Sequence, residues 1–197
     1  MHFADAQRSI LVIIDLQGKL VSMIHRPELV MAANQRLMRI AELFEVPVVV
    51  TEQYPKGLGP TAPELMEVFD GLSVPKKVVA KTSFGCCGEA AFEEALNEVR
   101  PGVAPGDRQL VIGGIEAHVC VMQTVLATLE AGSRVHLCWE AVSGRGAEYR
   151  EMALQRMQQA GAQITNHESV GFEWARDKNH PRFKEFSRLL QEGQLNG

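Results

Sequence analysis

Val111-Ile112-Gly113-Gly114-Ile115-Glu116-Ala117-His118-Val119-Cys120-Val121 is the stretch on which the fold turns. An apolar run ends at a glycine pair, a tight connection follows, and a helical pattern opens near the thiol of Cys120. Strand, turn and helix in this order make the first half of a parallel βαβ unit. A cysteine at a helix start sits beside unpaired backbone N–H groups and the positive end of the macrodipole. The expectation from this placement is a lowered thiol pKa and a reactive thiolate.

The same alternation extends in both directions. Upstream, Arg8 to Asp15 reads as a buried strand, followed by a helix from Glu28 to Phe44 whose apolar residues recur at helical spacing. Val48 to Thr51 is a second strand. The Gly- and Pro-containing segment Glu52 to Pro63 reads as a loop, with a short helix over Pro63 to Phe69. Lys77 to Lys81 is a third strand, and Ala91, Phe92, Ala95, Leu96 and Val99 mark the next helix. Gln109 to Gly113 is the fourth strand, and the helix from about Cys120 ends at Gly132. Downstream lie a strand over Arg134 to Trp139, a helix over Tyr149 to Ala160, a strand over Ala162 to Asn166, and an amphipathic helix carrying Phe183, Phe186, Leu189 and Leu190. Trp139 and Trp174 read as packing residues. The expected fold is α/β: one domain over residues 1–197, with a doubly wound, mostly parallel six-stranded sheet and helices on both faces.

Composition narrows the function. The 197 residues carry a net charge of −4 and 46% hydrophobic residues, with no basic run, which argues against a nucleic-acid partner. The longest apolar runs are strand-length, so no membrane association is expected, and no secretory signal is read. The four cysteines, Cys86, Cys87, Cys120 and Cys138, show no disulfide framework or CxxC spacing. Free thiols in a reducing, cytoplasmic compartment are the simplest reading, with a vicinal Cys86–Cys87 disulfide as the alternative. Gly113-Gly114 does not complete a dinucleotide fingerprint, and His167 and His180 lack metal-ligand spacing.

In open parallel sheets, sites form beyond the carboxyl ends of the strands. There the first strand ends in Asp15-Leu16-Gln17, the third in Lys81-Thr82-Ser83-Phe84, and the fourth leads to Cys120. Singly, each residue has an ordinary reading: a turn-forming Asp, a solvated Lys, a small core Cys. Jointly, they place a proton acceptor, a cation and a nucleophile at one edge, the parts that covalent thiol catalysis needs.

On the motifs Ile14-Asp15-Leu16-Gln17, Lys81-Thr82-Ser83-Phe84 and Gly114-Ile115-Glu116-Ala117-His118-Val119-Cys120-Val121, the chain resembles the isochorismatase-like cysteine hydrolases. That family includes nicotinamidases and carbamoylsarcosine amidases. Thr51-Glu52-Gln53-Tyr54-Pro55-Lys56-Gly57-Leu58-Gly59 and Ala141-Val142-Ser143-Gly144-Arg145 make it similar to the isochorismatase-domain-containing branch. The resemblance implies a catalytic triad of Asp15, Lys81 and Cys120, and a cis peptide at Ile115–Glu116. It implies an oxyanion hole from the backbone N–H groups of Glu116 and Cys120. Substrate contacts are expected from Gln17, Gln53, Tyr54, Phe84, His118 and Val119, with core packing serving equally well for Tyr54 and Phe84. For His118, two positions from Cys120, a pocket-rim role is favoured over a Cys–His pair. Nicotinamidases carry an Asp and several His residues after the second strand to hold a metal. This chain has Thr51-Glu52-Gln53-Tyr54 there, so neither a metal nor any other cofactor is expected, and nicotinamide is disfavoured. The name-giving isochorismatases lack the nucleophilic cysteine, which disfavours isochorismate too. The resemblance thus implies a small-molecule C–N hydrolase that works through a thioester and assembles as a homo-oligomer, the terminal helix being a candidate interface element. The rival expectation is a non-catalytic or weakly catalytic binding or scaffold protein of the same fold.

Overall fold

The computed structural model describes residues 3–192; residues 1–2 and 193–197 of the expected domain lie outside them. In chain order the elements are β1 (Ser9–Ile14), α1 (Gly18–Val21), α2 (Pro27–Leu43), β2 (Val48–Gln53), α3 (Pro55–Leu58), α4 (Pro63–Gly71), β3 (Lys76–Lys81), α5 (Ala90–Val99), β4 (Gln109–Ile115), α6 (Met122–Glu130), β5 (Arg134–Ser143), α7 (Ala147–Gln159), β6 (Gln163–Thr165), α8 (His167–Ala175) and α9 (Phe183–Gln191). Short 3-10 turns lie at Cys86–Gly88 and Pro105–Asp107, and a π turn at Ala117–Val121.

The six strands form one sheet in the order β3-β2-β1-β4-β5-β6. Every pairing is parallel. This is the expected α/β architecture. The apolar run of β1 is continuous because both of its faces are covered. Leu11 and Ile13 join one core with Val30, Leu37, Leu65, Trp174 and Phe186. Ile10, Val12 and Ile14 join the other with Phe92, Leu96, Val125 and Met157. Each fully buried side chain of this size contributes about 1.5–3 kcal/mol of apolar burial.

Three readings change. First, β5 runs on to Ser143 instead of stopping at Trp139. Its register against β4 jumps, with Ile112 beside Leu137 but Gly114 beside Val142. A bulge of this kind breaks the alternation that sequence reading relies on. Trp139 lies there with 39% of its surface exposed and the Arg150 guanidinium 5.4 Å from its ring, so it is not a core residue, whereas Trp174 is buried. Second, the segment read as a loop after β2 contains α3. Third, α8 was not legible. Its buried residues, His167, Val170, Gly171, Trp174 and Ala175, do follow helical spacing. Two of these stripe positions are a histidine and a glycine, which hides the pattern. Gly171 is required: a Cβ there would stand 2.3 Å from the ring of Phe186, which packs across from α9.

The chain passes from β1 to β2 and β3 on one side, then crosses to β4 on the other. The carboxyl ends of β1 and β4 therefore diverge into the crevice where open α/β sheets hold their ligands. Gly114 makes this junction tight. It has φ 114°, and a Cβ would fall 2.2 Å from the Ile14 carbonyl oxygen.

Candidate active site

Asp15 follows the last residue of β1 and is fully buried, in the left-handed region at φ 54°. A non-glycine residue is uncommon there and is held by its surroundings. Its N–H donates to the Thr51 carbonyl at 3.1 Å, and its Oδ1 accepts from the Thr51 hydroxyl at 2.7 Å. Its Oδ2 lies 2.7 Å from Lys81 Nζ, with both side chains at most 1% exposed. Lys81 lies two strands away, at the end of β3, and its side chain reaches over the end of β2. There Nζ also donates to Gln53 Oε1 at 2.6 Å, and to the carbonyls of Ser83 at 3.1 Å and Phe84 at 2.9 Å. The ammonium is thereby enclosed by acceptors, the condition under which a buried charge is tolerated.

The loop that supplies two of those carbonyls is held by Glu89. Its Oε1 accepts from the N–H groups of Thr82 and Ser83, both at 2.7 Å, and from their hydroxyls at 3.2 and 2.9 Å. Those bonds hold the Glu89 carboxyl down at about 2.

Cys120 sits in the π turn between β4 and α6, 8% exposed. The peptide Ile115–Glu116 is cis. The Glu116 carbonyl accepts from Val119 N–H at 3.0 Å and Val121 N–H at 3.3 Å, passing over the Cys120 N–H between them. The Cys120 carbonyl accepts from the Thr124 hydroxyl at 2.7 Å, and the same hydroxyl accepts the Cys86 N–H at 3.0 Å. The expected lowering of the thiol pKa is reversed. Burial first, and then the Asp15 charge, push Cys120 up to about 12 against the opposing Lys81, and its side chain is hydrogen-bonded to Asp15. The resting pair is thus a thiol beside a carboxylate. The helix-start argument fails because the thiol is buried in a π turn beside the Asp15 anion, and both conditions disfavour the thiolate.

The other expected site residues divide into two groups. Gln17 is fully buried, and its amide is committed to backbone. Nε2 donates to the carbonyls of Gln53 at 2.9 Å and Gly59 at 2.6 Å, and Oε1 accepts from Gln53 N–H at 2.8 Å. Rather than facing a ligand, it pins the end of β2 and the turn after α3 to the chain leaving β1. Gln53 holds Lys81 and donates to the Thr82 carbonyl at 2.8 Å. Tyr54 and Phe84 are 55% and 58% exposed, which removes the core-packing alternative for both. His118 stacks on Tyr149 with ring centroids 4.9 Å apart, and its Nδ1 side closes against Gly144, so its ring is no partner for the thiol. Val119 is half-buried beside it. All four cysteines are free thiols, which settles the Cys86–Cys87 alternative.

Thr51, Glu89, Thr124 and Cys86 belong to this constellation and were not singled out in the sequence. Only Thr124 had a local signal, its hydroxyl lying four residues after Cys120 on the same helical face. The positions expected to follow the second strand lie within the end of β2 and carry structural bonds: Glu52 Oε1 accepts from Thr61 N–H at 2.7 Å and its hydroxyl at 2.9 Å. Among the described residues, no group of three or more His, Cys, Asp or Glu side chains is placed to hold a metal ion.

Residues 9–169 match the model of the isochorismatase domain. The chain belongs to the isochorismatase family. It is 38% identical over 185 residues to isochorismatase domain-containing protein 2 of Homo sapiens, which covers 93% of this chain and 83% of that protein. Among solved structures it is similar to the MAR1 ribonuclease of Caenorhabditis elegans, with 35% identity, TM-score 0.87, and coverage of 100% of this chain and 95% of that one. It is also similar to YcaC of Pseudomonas aeruginosa, solved with hexane-2,5-diol and covalent acrylamide, with 27% identity, TM-score 0.80, and 96% of each chain covered. The YcaC gene product of Escherichia coli is described as an octameric hydrolase of unknown specificity. It shares 25% identity at TM-score 0.84, over 96% of this chain and 90% of that one. This isochorismatase-family chain therefore has a hydrolase fold with an acid, a cation and a thiol at its topological switch point.

Proposed function

We propose that this isochorismatase-family protein is a cysteine hydrolase that cleaves a C–N bond of a small amide-type molecule by the action of Asp15, Lys81 and Cys120. One observation carries the reading: a fully buried Asp15–Lys81 pair hydrogen-bonded to the thiol of Cys120 at the strand reversal. Asp15 accepts the thiol proton as sulfur attacks the carbonyl carbon, then passes that proton to the leaving nitrogen as the C–N bond breaks. Water attacks the resulting thioester. Asp15 takes a proton from it and returns it to sulfur, leaving a carboxylic acid and a free amine or ammonia. Lys81 keeps Asp15 charged between these transfers and offsets the negative charge that develops beside it.

The backbone N–H groups of Glu116 and Cys120 serve as oxyanion donors. The position of Cys120 N–H, passed over by the Glu116 carbonyl, supports that role. Tyr54, Phe84, His118 and Val119 line the approach for substrate, while Gln17 and Gln53 act through the loop and through Lys81. The covalent acrylamide in the related Pseudomonas aeruginosa protein supports a nucleophile in this fold. No cofactor enters this chemistry, and the structural roles of Glu52 and Gln53 support a reaction without metal. Assembly as a homo-oligomer is part of the same proposal, supported by the octameric relative. A cytoplasmic setting is supported by four free thiols.

The name of the Caenorhabditis elegans relative raises a second reading, RNA hydrolysis. The net charge of −4 and the enclosed, paired Lys81 favour the small amide. The test is incubation with an amide library and, separately, with RNA. Ammonia or amine release that disappears in Cys120→Ala supports the proposal. Release unchanged in that variant, or Cys120-dependent RNA cleavage without amide turnover, overturns it. Light scattering of the purified protein reads the assembly.

A further inference from the structure

Asp15 is gripped by a residue outside the proposed triad. Thr51 is fully buried near the end of β2, beside β1. It holds Asp15 twice, by its carbonyl on the Asp15 N–H at 3.1 Å and by its hydroxyl on Oδ1 at 2.7 Å. The direction of the hydroxyl is set from behind. Cys86 Sγ lies 3.9 Å from Thr51 Oγ1 in donor geometry, and a carboxylate paired with Lys81 only accepts. The two carboxylate oxygens are thereby made unequal: a neutral hydroxyl holds Oδ1, and an ammonium holds Oδ2.

We propose that Thr51 is the positioning residue of the proposed base: its hydroxyl locks the Asp15 carboxylate in one orientation toward Cys120. This rests on the reading of Asp15 as base. A carboxylate free to rotate presents either oxygen to the thiol; anchored at Oδ1, it presents one geometry. A donor to a carboxylate favours its charged form. That matters to a base that has to release its proton twice per turnover, to the leaving nitrogen and to the thiol. The charged and titratable groups facing Asp15 are Lys81 from β3, Cys120 from the π turn and Cys86 from the 3-10 turn. Thr51 is the neutral hydroxyl facing the same carboxylate. Burial pushes both thiols up to about 12.

The test is the pH profile of Cys120 alkylation by iodoacetamide, read by mass spectrometry on the full chain with the exposed Cys87 as internal control. Thr51→Val removes the hydroxyl and nearly preserves volume. Its acidic limb is expected to move up by about one pH unit, which slows alkylation on that limb about tenfold. Thr51→Ser restores the wild-type limb. Should Thr51→Val not fold, the pair Thr51→Ala and Thr51→Ser carries the same comparison, because both lose the methyl group and only serine keeps the donor. A limb unchanged in Thr51→Val or Thr51→Ala, or shifted equally in Thr51→Ser, overturns the proposal. Asp15→Asn separates the two levels. If that substitution leaves the limb in place, the reading of Asp15 as base fails. If it removes the limb while Thr51→Val does not move it, only the role of Thr51 fails.

Discussion

Two buried acid–base pairs lie among the described residues, alike in length and burial and different in what surrounds them. Asp15 and Lys81 meet at 2.7 Å at the carboxyl edge of the sheet. Glu140 and His167 also meet at 2.7 Å, where β5 faces the start of α8. In the second pair the Glu140 oxygen accepts the His167 N–H at 2.6 Å as well as bonding its Nδ1, so one carboxylate ties the first turn of a helix to a strand. Around Asp15 and Lys81, by contrast, bonds converge from β2, from the Ser83–Phe84 loop and from Cys120. Burial and pairing thus do not distinguish a catalytic pair from a structural one. A nucleophile within reach, at a crevice made by strand order, does.

The comparison is broken first on activity. Removing the nucleophile with Cys120→Ala is expected to lower amide turnover by about 10⁴-fold or more, measured as ammonia release. Glu140→Gln should stay within a few-fold of wild type in the same assay. Equal losses from the two would make the pairs functionally alike and the distinction empty.

Stability tests the pairs in the other direction. Lys81→Met leaves the Asp15 carboxylate buried without its counter-charge, and urea unfolding should show a loss of about 3–5 kcal/mol. Glu140→Gln keeps an acceptor for the His167 backbone N–H while giving up the charge-assisted bond, and about 1–3 kcal/mol is expected. The order of the two losses is the result to check, because the first variant strands a buried charge and the second does not.

The smallest effect sharpens how the Asp15–Lys81 site is held. Glu89 is only half-buried, yet its carboxyl is held down at about 2 by the loop N–H groups and hydroxyls it accepts from, against an ordinary value of 4.5. A depressed folded-state pKa contributes stability that is present above the unfolded value and lost as pH falls. The contribution should therefore be complete above about 4.5 and disappear as pH drops towards about 2. Thermal melts of Glu89→Gln and wild type should converge over that window. At neutral pH the variant should lower turnover modestly, since the Ser83 and Phe84 carbonyls around Lys81 depend on the same loop. Melting curves that stay parallel from pH 6 to pH 2 would remove Glu89 from the support of the site.

Much of this was readable from local pattern. β1 and β2 announce themselves as buried apolar runs, and the helices with apolar stripes were placed to within a few residues. Asp15, Lys81 and Cys120 stand out because each lies at or just beyond the end of a recognisable strand. The omissions have particular causes. The α8 stripe is carried in part by His167 and Gly171, and glycine earns its place only because Phe186 packs against it from α9. The last residues of β5 lie past a bulge. Thr51 looks like an ordinary strand residue until β2 is known to lie beside β1. Gln17 looked like a ligand contact, but its amide is used up by the backbone of a loop over thirty positions away.

The sequence by itself determined the alternation of strands and helices and the residue types at each strand end, because both are written in short-range periodicity and turn chemistry. Only the tertiary structure decided which ends meet. The order β3-β2-β1-β4 places Lys81 a strand's width beyond Gln53 yet within reach of Asp15, and opens the crevice for Cys120 on the far side. It also decided the sign of the thiol's titration. A pKa depends on how much water and which charges surround the group, and burial of Cys120 first, then the Asp15 charge beside it, raise the thiol where a helix start would suggest lowering.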